Sequence, residues 1–239
     1  MKKKYLLLQA RKWDDPMIQH EIECFQKSLN CTEKEIHSLD IIRDSFNMDS
    51  FKEFNVFFIG GSGDYSIAHG GEWMKKVLNT MNYLYENSKI TFASCWGFQA
   101  MAKARGGIVV NDLKRAELGT IQLSLTKEGE KDPIFKTLPS KFLAQMGHED
   151  IVEKLPKDAI LLASSDKVHN EAFKFKGKPI YGTQFHPELH IKDLEKRMKT
   201  YPHYVSKILG ISQEEFIEKK CFNSKDTSSL ILNFIKYYT

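Results

Sequence analysis

Three side chains give this 239-residue sequence the means for covalent catalysis: a cysteine, a histidine and a carboxylate. Cys95 opens the segment Cys-Trp-Gly-Phe-Gln, and His186 and Glu188 flank Pro187 much later in the chain. A cysteine attacks a carbonyl carbon once a histidine removes its proton, and a carboxylate holds the imidazole in the required tautomer. The residue types therefore indicate acyl transfer through a cysteine nucleophile.

The surroundings of Cys95 fit a nucleophile. The apolar run Ile90–Ser94 precedes it, and a helical pattern that ends near Gly106 follows it. A strand–turn–helix connection exposes a nucleophile at the carboxyl edge of a sheet, and a helix N-terminus lowers a thiol pKa. A side chain at Gly97 would crowd the neighbouring strand or the substrate. Taken alone, a cysteine is more often a small buried hydrophobic residue, so the case depends on the later segment.

The histidine segment supplies the base. His186 follows the strand predicted at Ile180–Gln184, and Pro187 stops that strand with a turn. Glu188 can then bond one imidazole nitrogen and direct the other outward. A lone histidine at a strand end is more often structural, and the His148–Asp150 segment offers either a rival base–carboxylate pair or a loop with solvated charges. His186 has the better turn.

The elements that must position these residues alternate in the first half of the chain. Short apolar runs separated by amphipathic stretches predict a parallel sheet flanked by helices. We predict strands at Tyr5–Gln9, Glu35–Ile42, Asn55–Ile59 and Ile90–Ser94, and helices from Pro16 to about Ser28 and from Gly71 to about Asn87. Gly60–Asp64 is a glycine-rich turn between a strand and a helix.

Beyond Gly106 the pattern changes to shorter strands, several of them antiparallel, which would extend one edge of the sheet. These are predicted at Ile108–Val110, Thr120–Leu125, Phe142–Gln145, Ala159–Ala163, Ala172–Phe175 and Ile180–Gln184. The tail from Ile191 to Thr239 is helical in pattern, with breaks near Gly210 and Asn223. One α/β domain accounts for the whole chain.

Composition excludes several classes of protein. A net charge of +4, with basic residues scattered along the chain, gives no support to nucleic-acid binding. The apolar run at the N-terminus ends within four residues, too short for a secretory signal, and no segment is long enough to cross a membrane. Four cysteines without a CxxC pair fit a reducing compartment, so we expect a soluble cytoplasmic protein. No histidine spacing indicates a metal site.

Three motifs together carry a family resemblance. They are Gly60–Asp64, Cys95–Gln99 and His186–Glu188, in this order. The chain resembles class I, or triad-type, glutamine amidotransferases, and in particular the stand-alone proteins similar to the amidotransferase domain of GMP synthase; the similarity runs from about Asn55 to Leu189. It implies a flavodoxin-like three-layer sandwich with a mostly parallel sheet. The single domain would span residues 1–239, with a core of about 1–190 and a helical extension of about 191–239.

The resemblance also implies roles for individual residues. Cys95 would be the nucleophile, His186 the general base and acid, and Glu188 the residue that orients it. The main-chain N–H groups of Gly61 and Trp96 would form the oxyanion hole. The positions that match substrate-binding residues are Gly63, Gln99, Gly147 and Glu149. No cofactor and no metal are implied.

Some of these positions have a plainer interpretation. The Gly60–Asp64 turn could be only a tight connection, and it lacks the Gly-Lys-Ser/Thr of a phosphate-binding loop. Gln99 could be a solvated helix residue. Two positions depart from the family pattern: Ser62 stands where proline is usual, and Trp96 replaces a smaller residue. Neither departure removes a catalytic group, but both weaken the assignment of the substrate.

Three functions remain open at this stage. The first is a glutaminase that delivers ammonia to a separate synthetase partner, which would be required because no Ser-Gly-Gly-x-Asp-Ser segment for adenylation occurs. The second is a stand-alone γ-glutamyl hydrolase or peptidase with the same triad. The third, an idle binding protein, is disfavoured because all three triad residues are kept.

Overall fold

The computed structural model describes residues 3–239, and within that range a nine-stranded sheet forms the centre of the molecule. Met1 and Lys2, which begin the N-terminal run considered for a secretory signal, lie outside the described residues. The strands, in chain order, are β1 (Tyr5–Gln9), β2 (Ile36–Asp40), β3 (Val56–Ile59), β4 (Ile90–Ser94), β5 (Ile108–Asn111), β6 (Glu117–Leu125), β7 (Lys141–His148), β8 (Asp150–Lys154), β9 (Ala159–Ser165), β10 (Ala172–Phe175) and β11 (Ile180–Thr183).

The sheet has a parallel half and an antiparallel half. Its strand order is β2-β1-β3-β4-β11-β10-β9-β6-β7. The first five strands of this order are parallel to one another. Each pair from β11 onward, through β10, β9 and β6 to β7, is antiparallel. Strands β5 and β8 form a separate antiparallel pair. Because β4 and β11 are parallel neighbours, their carboxyl ends meet at one edge, which brings Cys95 and the His186 segment together.

Helices cover both faces of the sheet. They are α1 (Met17–Leu29), α2 (Met74–Glu86), α3 (Trp96–Ala104), α4 (Lys127–Lys131), α5 (Ile191–Thr200), α6 (Pro202–Leu209), α7 (Gln213–Lys220) and α8 (Leu230–Tyr238). Side chains alternate along each strand. In β3, Phe58 packs with Phe25 of α1, whereas Phe57 and Ile59 pack on the opposite face with α2 and α3. The predicted flavodoxin-like three-layer sandwich is confirmed.

The tail after residue 190 is helical, as predicted, but its parts differ in what they contact. Phe234 of α8 is fully buried and its ring lies 5.3 Å from that of Phe92 on the central strand β4, so α8 belongs to the main core. Helices α5 to α7 instead bury Leu194, Val205 and Phe216 in a separate cluster beside β6. This cluster places α5 and α6 above the carboxyl edge of the sheet. In residues 3–239 no helix is both long enough and apolar enough to span a membrane.

The antiparallel half differs most from the sequence prediction. β6 and β7 extend beyond the predicted Thr120–Leu125 and Phe142–Gln145, with Glu117 paired directly opposite His148. The sequence pattern predicts neither β8, because it favours a solvated loop around Asp150, nor α4. Both His148 and Asp150 are in fact buried strand residues, at 3% and 6% exposure. The loop interpretation of this segment is therefore wrong for these two residues.

Candidate active site

Cys95 lies at a sharp turn between β4 and α3. Its backbone has φ 50° and ψ −103°, a region that a residue with a side chain rarely adopts. The turn is held because the Cys95 N–H donates to Thr183 O of the adjacent strand at 2.7 Å and the Gly97 N–H donates to Gly60 O at 3.2 Å. This is the strand–turn–helix geometry predicted around the cysteine, with its strain fixed by neighbouring backbone.

Gly97 is required by the packing of this turn. A Cβ built at Gly97 would lie 2.6 Å from Ile59 Cγ2 and 2.8 Å from Ile59 O. The second atom belongs to the backbone of β3, so it cannot move aside as a flexible side chain would. A glycine at this position lets the start of α3 approach the central sheet, as the sequence predicted.

His186 is oriented by the carboxylate two residues later. His186 Nδ1 lies 2.6 Å from Glu188 Oε1, and Ser94 Oγ donates to Glu188 Oε2 at 3.1 Å. Glu188 is fully buried. Because Nδ1 is engaged by the carboxylate, Nε2 is the ring nitrogen left for the cleft. The imidazole faces the glycine-rich turn, since a Cβ built at Gly61 would lie 2.8 Å from His186 Cε1.

Arg197 of α5 adds a positive charge behind this pair. Its Nη1 lies 3.4 Å from His186 Nδ1 and its Nη2 lies 4.0 Å from Glu188 Oε1. Burial alone would raise the pKa of Glu188, but the charge of His186, its hydrogen bond and the charge of Arg197 outweigh burial and lower that pKa. The carboxylate is therefore kept in its charged, accepting form.

The predicted site residues line adjoining cavities that share Cys95, Gly63 and Gly147. The larger, of about 220 Å³, is lined by Trp96 and by all four predicted substrate-binding positions. The smaller, of about 40 Å³, is lined by Gly61 and His186. The fold thus brings together eight of the nine predicted residues around one cleft, and the ninth, Glu188, supports His186 from behind.

The thiol itself is poorly solvated. Cys95 is 5% exposed; its Sγ lies 3.8 Å from Gly147 O and accepts a hydrogen bond from Gln184 Nε2 at 3.5 Å. Among residues 3–239 it has no direct hydrogen bond to His186. Burial, and next the negative charge of Glu188, raise the pKa of Cys95 to about 12. The lowered pKa expected from the helix N-terminus is therefore wrong for this resting arrangement, because desolvation dominates.

The two predicted oxyanion donors differ in their present partners. The Trp96 N–H lies close enough to the sulfur to favour the thiolate. The Gly61 N–H donates to Glu21 Oε1 of α1 at 3.1 Å. Glu21 also accepts hydrogen bonds from Arg11 and Gln9. Gly61 thus lies beside His186, but its N–H group is already hydrogen-bonded to the carboxylate of Glu21.

Three of the four predicted substrate-binding residues, Gln99, Gly63 and Glu149, form hydrogen bonds or ion pairs with other residues around the cleft. Gln99 is 3% exposed, so its interpretation as a solvated helix residue is wrong; its Nε2 donates to Asp150 O at 2.9 Å and to Gln184 Oε1 at 3.2 Å. Gly63 O accepts from Tyr204 Oη at 2.7 Å. Glu149 Oε2 pairs with Lys207 Nζ at 2.6 Å. Helix α6 therefore bridges both walls of the larger cavity.

Several residues of the site are not predicted from the sequence. Glu21, Gln184, Arg197, Tyr204 and Lys207 all contact predicted site residues. Gln184 stands beside the His186 segment, which is the one signal available for it. The others come from α1, α5 and α6, whose sequences show only amphipathic packing patterns.

Within residues 3–239, two groups of side chains have the chemistry to hold a metal ion. His20, Cys24 and Asp193 form one, and Glu117, His148 and Glu171 form the other; in each group the ligand atoms lie within 4.8 Å of one another. In the first group His20 Nε2 already pairs with Asp193 Oδ1 at 3.2 Å. The spacing of these residues in the sequence does not predict either group, because the members of each group come from elements that are far apart in the sequence.

Comparison with known proteins identifies the family to which this chain is similar. The family model described as glutamine amidotransferase class-I matches residues 18–200. A glutamine-hydrolysing GMP synthase subunit from Methanocaldococcus jannaschii is 36% identical over 123 residues, which is 52% of this chain and 63% of that protein. The chain thus spans less than two thirds of that relative. Its counterpart from Pyrococcus abyssi is 36% identical over 149 residues, 62% of this chain and 75% of that protein.

A solved structure supports the fold over its full length. A glutamine amidotransferase from Thermotoga maritima superposes with a TM-score of 0.78, covering 100% of this chain and 99% of that chain at 18% sequence identity. At that identity the likeness concerns the fold alone. Together with the family model, which matches most of the sequence, these findings mean that the chain belongs to the class I glutamine amidotransferase family.

Proposed function

We propose that this chain hydrolyses the side-chain amide of glutamine through a cysteinyl thioester, releasing glutamate and ammonia. The observation that carries the proposal is the 2.6 Å contact between His186 Nδ1 and Glu188 Oε1 beside a cysteine held in a strained turn of the same cleft. A buried carboxylate that orients an imidazole near a thiol has the arrangement needed for nucleophilic catalysis.

The first half of the reaction forms the thioester. His186 Nε2 takes the Cys95 proton, and the sulfur attacks the carbonyl carbon of the glutamine side chain. When the tetrahedral intermediate collapses, the carbon–nitrogen bond breaks and His186 returns the proton to the departing ammonia. Glu188 stabilises the imidazolium between these steps. Because burial raises the pKa of Cys95 to about 12, the thiol is protonated in the resting site and needs a base to accept its proton.

The intermediate's oxyanion is stabilised by N–H donors. The Trp96 and Gly61 N–H groups have this role in the proposal. The Gly61 N–H donates to Glu21 Oε1 in the resting site, so this hydrogen bond must break before Gly61 can bind the oxyanion.

The second half of the reaction releases glutamate. A water molecule loses its proton to His186, its oxygen attacks the thioester carbon, and the proton returns to the Cys95 sulfur as the carbon–sulfur bond breaks. In the proposal Gly63 and Gln99 help to hold the glutamine, and the backbone at Gly147 and Glu149 receives its amino acid end; all four line the larger cavity next to the sulfur, which supports this assignment.

We also propose that the ammonia is delivered to a separate synthetase. The relatives from Methanocaldococcus jannaschii and Pyrococcus abyssi are each named as one lettered subunit of GMP synthase, and such a name implies that a second subunit exists. The charge pattern and the similarity give no reason to expect nucleic acid as a partner.

The proposal is tested by incubating the purified protein with glutamine and with a panel of γ-glutamyl peptides, while ammonia and glutamate are followed. Wild type should release the two products from glutamine in equal amounts. Cys95→Ala and His186→Asn should lose about a thousandfold or more in turnover, whereas Cys31→Ser should retain it. Rapid turnover of peptides with poor use of glutamine would instead favour a γ-glutamyl hydrolase.

A partner-dependent enzyme could turn over slowly alone, so a second readout is covalent labelling. A diazo-ketone analogue of glutamine should add one label, located on Cys95 by mass spectrometry. Attachment to Cys24, Cys31 or Cys221 would contradict the site.

A further inference from the structure

A buried cluster of Glu117, His148 and Glu171 lies on the antiparallel side of the sheet. Glu117 begins β6 and is paired in register with His148 at the end of β7, and Glu171 immediately precedes β10. All three are at most 3% exposed. With both carboxyls ionised, Glu117 Oε2, His148 Nε2 and both side-chain oxygens of Glu171 are buried without a hydrogen-bond partner, and a proton shared between Glu171 and Glu117 would pair one oxygen of each. Buried polar atoms are almost always paired, so this cluster needs either such a proton or a bound ion.

The imidazole is held as metal-binding imidazoles are. His148 Nδ1 lies 3.2 Å from Asp150 O, and a carbonyl oxygen can only accept, so Nδ1 carries the proton of that bond. In the neutral ring Nε2 then presents a lone pair toward Glu117 Oε2, 3.5 Å away. A ring N–H bonded to a backbone carbonyl, with the other nitrogen free, is the usual support of a histidine that ligates a metal.

The spacing also suits a metal ion better than a direct hydrogen bond. His148 Nε2 and Glu117 Oε2 are 3.5 Å apart, whereas charge-assisted N–H···O bonds are about 2.7–2.9 Å. Two ligands at about 2.1 Å from a tetrahedral metal ion are separated by roughly 3.4 Å. All three groups have ligand atoms within 4.8 Å of one another.

The two carboxyls of the cluster have little compensating charge. Within residues 3–239 neither Glu117 nor Glu171 forms an ion pair with a lysine or arginine, and His148, 3.5 Å from Glu117, can balance at most one of them. Two buried carboxylates need either protons or a cation, and one divalent ion would make the cluster neutral.

We propose that Glu117, His148 and Glu171 bind a divalent first-row transition ion, each through one ligand atom. The ion would fix the end of β7, and through it the larger cavity, because Asp150 O accepts from Gln99 Nε2 as well as contacting His148. Its role is structural: no step of the proposed hydrolysis passes through it.

The test measures bound metal directly. Wild type is stripped with a chelator, incubated with Zn²⁺ or Mn²⁺, passed through a desalting column and analysed by mass spectrometry for metal content. About one equivalent should be retained by wild type, and less than about a tenth by Glu171→Gln and His148→Ala. Cys24→Ser is the matched control, because it alters the other buried cluster, and it should retain the ion.

Thermal unfolding gives an independent readout. At a free ion concentration about one hundred times the dissociation constant, the unfolding temperature of wild type should rise by about 5–10 °C. The unfolding temperature of Glu171→Gln should not change. Metal-free Glu171→Gln should be at least as stable as metal-free wild type, because an amide carries no buried charge. Anomalous diffraction from wild-type crystals should show a peak about 2.0–2.2 Å from His148 Nε2, which does not depend on any variant folding.

The opposite results overturn the proposal. If wild type retains no ion and shows no thermal shift, the cluster is neutralised by protons. If Glu171→Gln retains as much ion as wild type, or only Cys24→Ser loses it, the ion is bound elsewhere.

Discussion

Glu21 Oε1 accepts the Gly61 N–H at 3.1 Å, so a carboxylate of α1 occupies the main-chain donor of a glycine that lies beside the proposed catalytic histidine. Glu21 is held there by Arg11, whose Nη2 and Nε donate to its two oxygens at 2.9 and 3.0 Å. Both side chains are at most 2% exposed. The first helix therefore reaches the site through a buried ion pair that also fixes the glycine-rich turn.

Replacing Glu21 by glutamine should destabilise the protein by about 3–5 kcal/mol, because Arg11 would keep a buried charge that Asp15 alone must balance. Urea unfolding at about pH 7 measures this. Glu23→Gln, on the same helix but only partly buried, is the matched control and should change stability by less than about 0.5 kcal/mol. Equal effects of the two substitutions would contradict the importance of the buried pair.

The stability difference between wild type and Glu21→Gln should also depend on pH. Burial would raise the pKa of Glu21, but the charge and hydrogen bonds of Arg11 outweigh it and lower the pKa from 4.5 to about 2. A group whose pKa is lowered by folding stabilises above its unfolded pKa, and this stabilisation is lost as pH falls toward the folded value. The difference should therefore be constant above about pH 5.5 and shrink between 4.5 and 2. If the stability difference between the two proteins instead grows as the pH falls, the pKa of Glu21 is not lowered by folding.

The sequence predicted the parts of the site that depend on local spacing. Pro187 places Glu188 against His186 within a single turn, and the apolar strand before Cys95 with Gly97 after it specifies the elbow. These features need no knowledge of distant contacts. The prediction that a side chain at Gly97 would crowd a neighbouring strand is confirmed, and the structure identifies the crowded residue as Ile59 of β3.

Features that depend on distant elements could not be predicted in this way. Glu21 and Arg197 reach the site from helices whose sequences show only an amphipathic pattern. The pKa of Cys95 depends on how far the fold excludes water, and burial outweighs the helix N-terminus that the sequence does reveal. Glu117 meets His148 through the register of β6 with β7, and Glu171 joins them from the segment before β10; periodicity specifies neither arrangement.

Alkylation should report the raised pKa of Cys95. Because the thiolate is the reactive form, the rate of Cys95 modification by iodoacetamide should be slow at neutral pH and still rising above pH 9.0, the ordinary value from which burial raises the pKa to about 12. Mass spectrometry after timed quenching gives the rate for each cysteine. Cys31, with a pKa raised to about 11, is the internal reference. A plateau near neutral pH would mean that Cys95 and His186 already form an ion pair.

Substituting Gly97 by alanine should damage the elbow. The added Cβ would lie 2.6 Å from Ile59 Cγ2 and 2.8 Å from a backbone oxygen, so β3 or α3 must shift. Overpacking of this kind costs about 1–3 kcal/mol of unfolding free energy. Gly147→Ala is the comparison, since its Cβ would meet Leu118 Cδ1 at an ordinary 3.5 Å. Similar unfolding free energies for the two variants would refute the close-approach argument.

Removing the hydroxyl of Tyr204 should weaken substrate binding more than it slows the reaction. Tyr204 Oη donates to Gly63 O at 2.7 Å, and this bond fastens α6 to a turn that we propose holds glutamine. Losing a hydrogen bond of about 0.5–1.5 kcal/mol predicts a KM that is about 2- to 13-fold higher in Tyr204→Phe, with kcat within about twofold. Steady-state kinetics with glutamine measure both constants. Tyr237→Phe, at an exposed position of α8, should match wild type. A fall in kcat without a change in KM would place Tyr204 in the chemical step and remove the binding role assigned to α6.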